Sequence, residues 1–386
     1  MEHWHRSGTA LLDEIAVTHL PASQLAVWYI GQCGFIFKCR ETTFCIDPVL
    51  SDLTGPNGSR RRYPAPFAPG QLRVDFVRCS HGHADHMAKD TLRGLAQNDE
   101  TQFIFPSGCR ALAHEYGVPE ERIQLVQEGS ALELGPAHLR AFSAAHPEHV
   151  LDAEDPRMAL GYQLDLGGFT VVHLGDTYLT PRLYAALEAL PQPDLLLAPI
   201  NGQDLFRTQR NCIGNLAAEE AAQLAVRLRA GCSIPTHYDM VQGNTADPLR
   251  FVSALRRLDP AARFALPALG ERLIFQKDEG RNRSAVWSSI SSSPSIQRLF
   301  ALFVNISRYT TRLGRAMEAS SQSTSIGWAN RTVPLRVRKV WPAAVTRTAQ
   351  PVRVRTSSSR PMSVRRTRAE SLAQDAARRV RSAFGA

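Results

Sequence analysis

Long apolar runs are missing from this chain: no stretch of its 386 residues approaches the ~18 consecutive apolar residues that a membrane helix needs. Paired cysteines are missing as well. The seven present (Cys33, Cys39, Cys45, Cys79, Cys109, Cys212 and Cys232) show no C-x-x-C or similar spacing, so neither a disulfide framework nor a paired-cysteine metal site is expected. Most lie in apolar surroundings that suit reduced, small core residues. The start, Met1-Glu2-His3-Trp4-His5, lacks the charged-then-apolar order of a signal peptide. The expectation is a soluble, cytoplasmic protein.

Acidic residues all but vanish after residue 280. Residues 281–386 hold 20 Arg or Lys against 3 Asp or Glu, a charge of +17, while residues 1–280 hold 25 against 33, or −8. The overall +9 therefore belongs to the tail. The chain divides into a folded body over residues 1–279 and a basic, Ser/Arg-rich tail over 280–386. With clusters at Ser288–Ser293 and Arg353–Arg368 and no sustained apolar period, that tail reads as disordered. Nucleic acid is a partner only through the tail's phosphate contacts, and a solvated extension is the plainer reading of a charge run. A hydrophobic content of 44% is ample for a core in the body.

Against these absences stands one concentration. His81-Gly82-His83-Ala84-Asp85-His86 places three histidines and an aspartate in six residues, directly after the apolar run Val74–Cys79, which reads as a buried strand. A single histidine is more often a packed structural residue than a ligand, and the chain has twelve. Packing alone, however, would choose apolar residues at the end of a buried strand. The cluster is a metal site in outline.

His-X-His-X-Asp-His resembles the signature of the metallo-β-lactamase superfamily of metallohydrolases, in which a distant His, an Asp and a final His complete the ligand set. The chain supplies these in order: His146 lies 60 positions after His86, Asp176 30 further and His237 another 61 on, each just after a strand-like run. The resemblance implies that His81, His83 and His146 form one site, that Asp85, His86 and His237 form a second, and that Asp176 bridges them. One or two divalent ions are implied, zinc or manganese foremost, although imidazole and carboxylate also suit iron. Two ions ~3.5–4 Å apart can lower the pKa of a shared water and polarise an electrophile. Asp85 carries a double reading, as a ligand or, with one ion, as the catalytic residue that orients the attacking water. His149 is an alternative to His146, and His173 reads as a core or supporting histidine.

Three strand-like runs, Leu25–Ile30, Phe35–Lys38 and Thr43–Ile46, open the body, and residues 51–70 form a long Gly, Pro and Arg-rich loop. Helices are expected at Lys89–Leu95, Gly108–Tyr116, Pro181–Leu190, Asn215–Ala230 and Pro248–Leu258. Strands are expected at Phe103–Phe105, Ile123–Val126, His138–Ser143, Leu160–Leu166, Phe169–Leu174, Asp194–Pro199, Ser233–Pro235 and Arg272–Phe275. Leu166-Gly167-Gly168-Phe169 marks a hairpin. Pattern alone yields a mixed α/β class. The resemblance sharpens it to a metallo-β-lactamase-type αββα sandwich, with residues 1–279 as the metallohydrolase domain.

Within the superfamily, Trp28–Phe35, Asp47–Asp52, Ala198–Gly202 and Ile234–Asp239 are most similar to the L-ascorbate-6-phosphate lactonase-like branch, over about residues 25 to 276. The Asp-Pro and Gly-Asp-Thr pieces also resemble phosphodiesterases of the N-acylphosphatidylethanolamine phospholipase D type. The expected activity is hydrolysis, by a metal-bound hydroxide, of a lactone or related ester of a small anionic, sugar-phosphate-like substrate. The alternatives are a phosphodiesterase on a lipid or nucleotide and a nucleic-acid-binding protein acting through the tail. Arg60, Arg61 and Arg62, with Arg207 and Arg210, are candidates for an anionic substrate because guanidinium groups bind phosphate in bidentate fashion; solvated loop charge is the bland reading. Tyr238 and Asp239 follow His237 and can contact substrate or orient the imidazole. Oligomerisation is left open.

Overall fold

The computed structural model describes residues 3–53, 60–146, 150–151, 153–154, 158–209, 214–277 and 285–288. Helix α1 (Gly8–Val17) precedes three antiparallel strands, β1 (Gln24–Gly31), β2 (Gly34–Cys39) and β3 (Thr42–Ile46). Strands β4 (Phe76–Arg78), β5 (Gln102–Pro106) and β6 (Ile123–Val126) follow in parallel, with α2 (Lys89–Leu95) and α3 (Arg110–Glu115) as crossovers. Then come β7 (Ala131–Leu134), β8 (Ala137–Ser143), the short pair β9 (Val150–Leu151) and β10 (Ala153–Glu154), β11 (Leu160–Leu166) and β12 (Phe169–His173). The chain continues through α4 (Pro181–Glu188), β13 (Leu195–Pro199), α5 (Leu205–Thr208), α6 (Ala218–Arg227), β14 (Cys232–Thr236), α7 (Pro248–Leu258), β15 (Arg272–Lys277) and β16 (Ala285–Ser288).

Two sheets result, one in the order β16-β15-β1-β2-β3-β4-β5-β6 and one in the order β14-β13-β12-β11-β8-β7. Side-chain alternation sorts the strands into layers. On β1, Leu25, Val27 and Tyr29 join the core shared by both sheets, together with Leu139, Tyr162 and Leu197. Ala26, Trp28 and Ile30 instead face Leu11, Ile15, Leu92 and Ala113 of α1, α2 and α3. The second sheet repeats the logic. Leu195 and Leu197 point between the sheets, whereas Leu196 and Ala198 meet Leu187, Leu224 and Phe251 of α4, α6 and α7. Helix, sheet, sheet, helix is the αββα sandwich, and strands such as β1 and β13 are apolar on both faces.

Local chemistry sets the ends of these elements. Gly167 and Gly168 take φ of 61° and 87°, the paired left-handed geometry that a tight hairpin between β11 and β12 needs. Helix α6 is shorter than the expected 215–230: Glu220 accepts from the Ala217 amide at its start, and Arg229, at φ 52°, ends it. Six elements, α1, α5, β7, β9, β10 and β16, were not expected. Helix α1 buries only the Leu11 and Ile15 pair fully and is held by Glu14, which accepts from Trp28 Nε1 at 3.0 Å. Strand β7 is exposed at Ala131 and Glu133 and only four residues long, too short for its alternation to stand out. Strand β16 lies within the span assigned to the tail and adds an edge to β15, with Trp287 opposite Phe275. Residues 289–386 lie outside the described residues. No helix among the described residues is long and apolar enough to cross a membrane.

Candidate metal centre

Four strands deliver the cluster from their carboxyl ends, where open sheets usually place their sites. The loop after β4 carries His81, His83, Asp85 and His86, and it turns tightly because the His86 and Met87 amides both donate to the His83 carbonyl, at 3.0 and 2.7 Å. The loops after β8, β12 and β14 bring His146, Asp176 and His237. Imidazole centroids lie 4.6 Å apart for His81 and His83, 5.0 Å for His81 and His146, 4.7 Å for His83 and His146, and 5.4 Å for His86 and His237. One ligand atom each from His81, His83, His146 and Asp176 falls within a 4.8 Å span, and the same holds for Asp85, His86 and His237.

Asp176 stands between the halves. Its Oδ1 is 3.1 Å from His86 Nε2 and its Oδ2 3.1 Å from His237 Nε2. Asp85 Oδ2 approaches His237 Nε2 at 3.3 Å and His86 Nε2 at 3.8 Å. The His81 Nε2 and His83 Nδ1 ring nitrogens also converge, at 3.0 Å. Such crowding of acceptors fits a cation. Because His86 Nδ1 already donates to Asp47 Oδ2 at 2.9 Å, its Nε2 is left facing two carboxylates. Without an ion only protons can fill that role. Burial opposes charge on His86 and His237, but Asp176 and Asp85 overcome it, lifting His86 well above the ordinary range and His237 to about 9. The same pairing overrides burial at Asp85 and Asp176 and holds both carboxylates below their usual range. His81 is pushed well down, by burial first and then by the neighbouring His86 and His83. These imidazoles and carboxylates fit a zinc, manganese or iron centre of one or two ions.

A supporting layer holds these ligands, and sequence reasoning did not single out most of it as part of the site. Asp47, at φ 43° after β3, accepts from the Ser80 amide and from Ser80 Oγ, each at 2.7 Å, as well as from His86. Gln32, in the turn between β1 and β2, donates from Nε2 to Asp85 Oδ2 at 2.7 Å and lies 2.9 Å from His237 Nε2. The Cys33 thiol is fully buried beside Thr236 and Asp176, at 3.5 and 3.9 Å; burial first, then Asp176, raises it well above its ordinary range, so it stays protonated. His173 Nδ1 accepts from the Gly175 amide at 3.2 Å, which leaves Nε2 to donate to the Cys33 carbonyl at 3.0 Å. Burial pulls His173 down to about 4, so it is a neutral strut. Gly175, at φ 64°, packs so closely that a Cβ there would lie 2.8 Å from Ser80 Cβ.

A family model described as a β-lactamase superfamily domain matches residues 42–238, a span that holds all seven of these candidate ligands. The chain belongs to the metallo-β-lactamase superfamily of metallohydrolases. It is 28% identical over 231 residues to a UPF0173 protein of Pyrococcus furiosus, covering 60% of this chain and 90% of that one. To a UPF0173 metal-dependent hydrolase of Methanosarcina mazei it is 24% identical over 245 residues, covering 60% and 91%. The solved structure of Igni18, a metallo hydrolase of Ignicoccus hospitalis, superposes with a TM-score of 0.52 at 20% identity, covering 66% of this chain and all of that one. At that identity the likeness speaks for the fold.

The residues expected to meet an anionic substrate are placed less uniformly. Arg61 turns inward, donating from Nη1 to the Val49 and Ser51 carbonyls and from Nε to the Tyr63 carbonyl, which ties the loop down. Arg207 is similarly engaged, with Asp204 at 2.5 Å, Asn244 Oδ1 at 2.8 Å and the Asn201 carbonyl at 2.7 Å. Arg60 and Arg62 are exposed, and Arg62 donates to the Asp239 carbonyl at 3.2 Å, next to the His237 loop. Tyr238 stacks on Tyr29 with ring centroids 6.3 Å apart, and Asp239 Oδ1 accepts from the Gln32 amide at 3.0 Å. Arg210, His149 and Cys212 lie outside the described residues.

Proposed function

We propose that this protein is a metal-dependent hydrolase that opens a lactone or related ester of a small anionic, sugar-phosphate-like substrate, with zinc or manganese as the resident ion. The observation that carries the reading is the buried Asp176 carboxylate set between His86 and His237, with Asp85 beside them and three more imidazoles adjoining. Bound there, the ion acidifies a water molecule and polarises the electrophile.

The chain's own residues supply the rest. Asp85 is the accessible carboxylate of the cluster, with 21% of its side chain exposed against 6% for Asp176. Its carboxylate is held ionised, so at Oδ2 it can accept a hydrogen bond from the attacking water and orient it. Asp47 and Ser80 fix the His86 ring, and Gln32 fixes Asp85, so the groups are set before substrate arrives. Arg62 and Arg60, exposed beside the His237 loop, are the guanidinium groups left to attract an anionic group. The lactonase-like reading draws its support from the Trp28–Phe35 and Ile234–Asp239 segments, which supply Gln32, His237 and Asp239. A cytoplasmic location suits the six described cysteines, all free and buried.

Metal analysis of the purified full-length chain, followed by assays on a lactone panel and on bis(p-nitrophenyl) phosphate, tests the reading. Acid release from a phosphorylated sugar lactone, lost in Asp85→Ala, is the expected result. Cleavage of the phosphodiester alone assigns the chain to the phosphodiesterase alternative. Protein that carries no metal, or an Asp85→Ala variant with full turnover, sinks the proposal.

A further inference from the structure

Gln32 occupies an unusual position for a neutral side chain. It is fully buried, takes the left-handed φ of 57°, and sets its carboxamide among the groups assigned to the second half of the metal centre. The Nε2 atom is 2.7 Å from Asp85 Oδ2 and 2.9 Å from His237 Nε2. A carboxylate only accepts, so the atom facing Asp85 is the amide nitrogen. The main chain of Gln32 is anchored at both of its polar groups. The Gln32 amide donates to Asp239 Oδ1 at 3.0 Å, and its carbonyl accepts from the His237 amide at 2.8 Å.

His237 Nε2 faces the Gln32 carboxamide nitrogen at 2.9 Å and the Asp176 and Asp85 carboxylates at 3.1 and 3.3 Å, so the amide nitrogen already stands among the atoms that a second cation would need. In the other half, His81, His83, His146 and Asp176 gather within 4.8 Å of one another, with the facing nitrogens of His81 and His83 3.0 Å apart. The two halves are therefore chemically unequal.

We propose that Gln32 stands in for the second cation, its carboxamide holding Asp85 and His237 so that the centre takes one ion tightly in the His81, His83, His146 and Asp176 half and a second only by displacing the amide. The inference rests on the metal-centre reading given above. It assigns Gln32 as a positioning residue: with one ion bound, the amide keeps Asp85 in place to orient water.

Chelator-stripped full-length protein titrated with zinc by calorimetry, with zinc counted after gel filtration, provides the test. The expected result is one tight equivalent and a second step weaker by about tenfold or more, the scale set by the hydrogen bond that the second ion must displace. Gln32→Met keeps the bulk and removes the donors, so its second step tightens by about tenfold or more toward the first. Gln32→Glu keeps the shape and offers a carboxylate, so its second step tightens as well. Two steps of equal affinity in the native chain overturn the proposal while leaving the metal centre intact. A second step unchanged or weakened in either variant also overturns it. A native chain that binds no zinc removes both this inference and the hydrolase reading beneath it.

Discussion

Asp47 Oδ2 sits 2.9 Å from His86 Nδ1, with both side chains fully buried. That contact decides which nitrogen of His86 faces the metal centre. Asp47 also accepts both hydrogens that Ser80 offers, so one carboxylate ties the end of β3 to the loop after β4. Burial opposes charge on Asp47, but His86 and then Arg78 overcome it and hold its carboxyl below the usual range, which keeps it an acceptor.

Asp47→Asn is expected to lower zinc affinity by about 10–100-fold, the usual effect of removing a group that supports a ligand. Asparagine tolerates the φ of 43° found there, so the variant tests charge and not backbone fit. Competition with a chromophoric chelator measures it. Native affinity in this variant would remove Asp47 from the site.

Gly175→Ala places a methyl group 2.8 Å from Ser80 Cβ at a φ of 64°. Strain of about 1–3 kcal/mol is expected, read from urea unfolding. The methyl group would press on Ser80, which donates to Asp47, and Asp176 is the next residue in the chain, so zinc affinity falls with stability. A variant that loses neither would show that the two loops can separate freely.

The metal-free protein has a defined pH signature. His86 and His237 bind protons more tightly folded than unfolded, because Asp176 and Asp85 outweigh the opposing burial. Their stabilising contribution is complete below about 6.5, the unfolded value, and is lost as pH rises through about 9 for His237. Thermal melts of the stripped protein should therefore decline between pH 6.5 and 9. A slight excess of zinc removes the decline, because the ion takes the place of those protons. A stripped protein with a level profile across that window would contradict the assigned pairing.

Much of this was legible in the sequence, and the reason is chemical. His81, His83, Asp85, His86, His146, Asp176 and His237 are residue types that cost stability at the ends of buried strands unless something recruits them, and the structure brings all seven together. Strands β1, β2 and β3 were equally open to reading, since both of their faces are apolar. Gln32 and Asp47 were not. Each is a common polar residue in a turn, and only the left-handed backbone at φ 57° and 43° aims it beneath the ligands. Arg61 misled in the opposite sense: a run of three arginines suggests a phosphate grip, yet this one donates to carbonyls of its own loop.

Strand β16 sets where the chain can be shortened. A protein ending after Ser295 keeps the pairing of β15 with β16 and is expected to keep native zinc binding and turnover. One ending after Gly280 leaves β15 as an open edge and should melt at a lower temperature. Loss of turnover in the longer form would assign a catalytic role to the basic tail.

The ligands are drawn from both sheets, His81 through His86 from one and His146, Asp176 and His237 from the other. Neither sheet alone can build either half of the centre. An ion held there would join stretches of chain far apart in sequence and act as a rivet along that edge of the sandwich, so its removal is expected to loosen that edge.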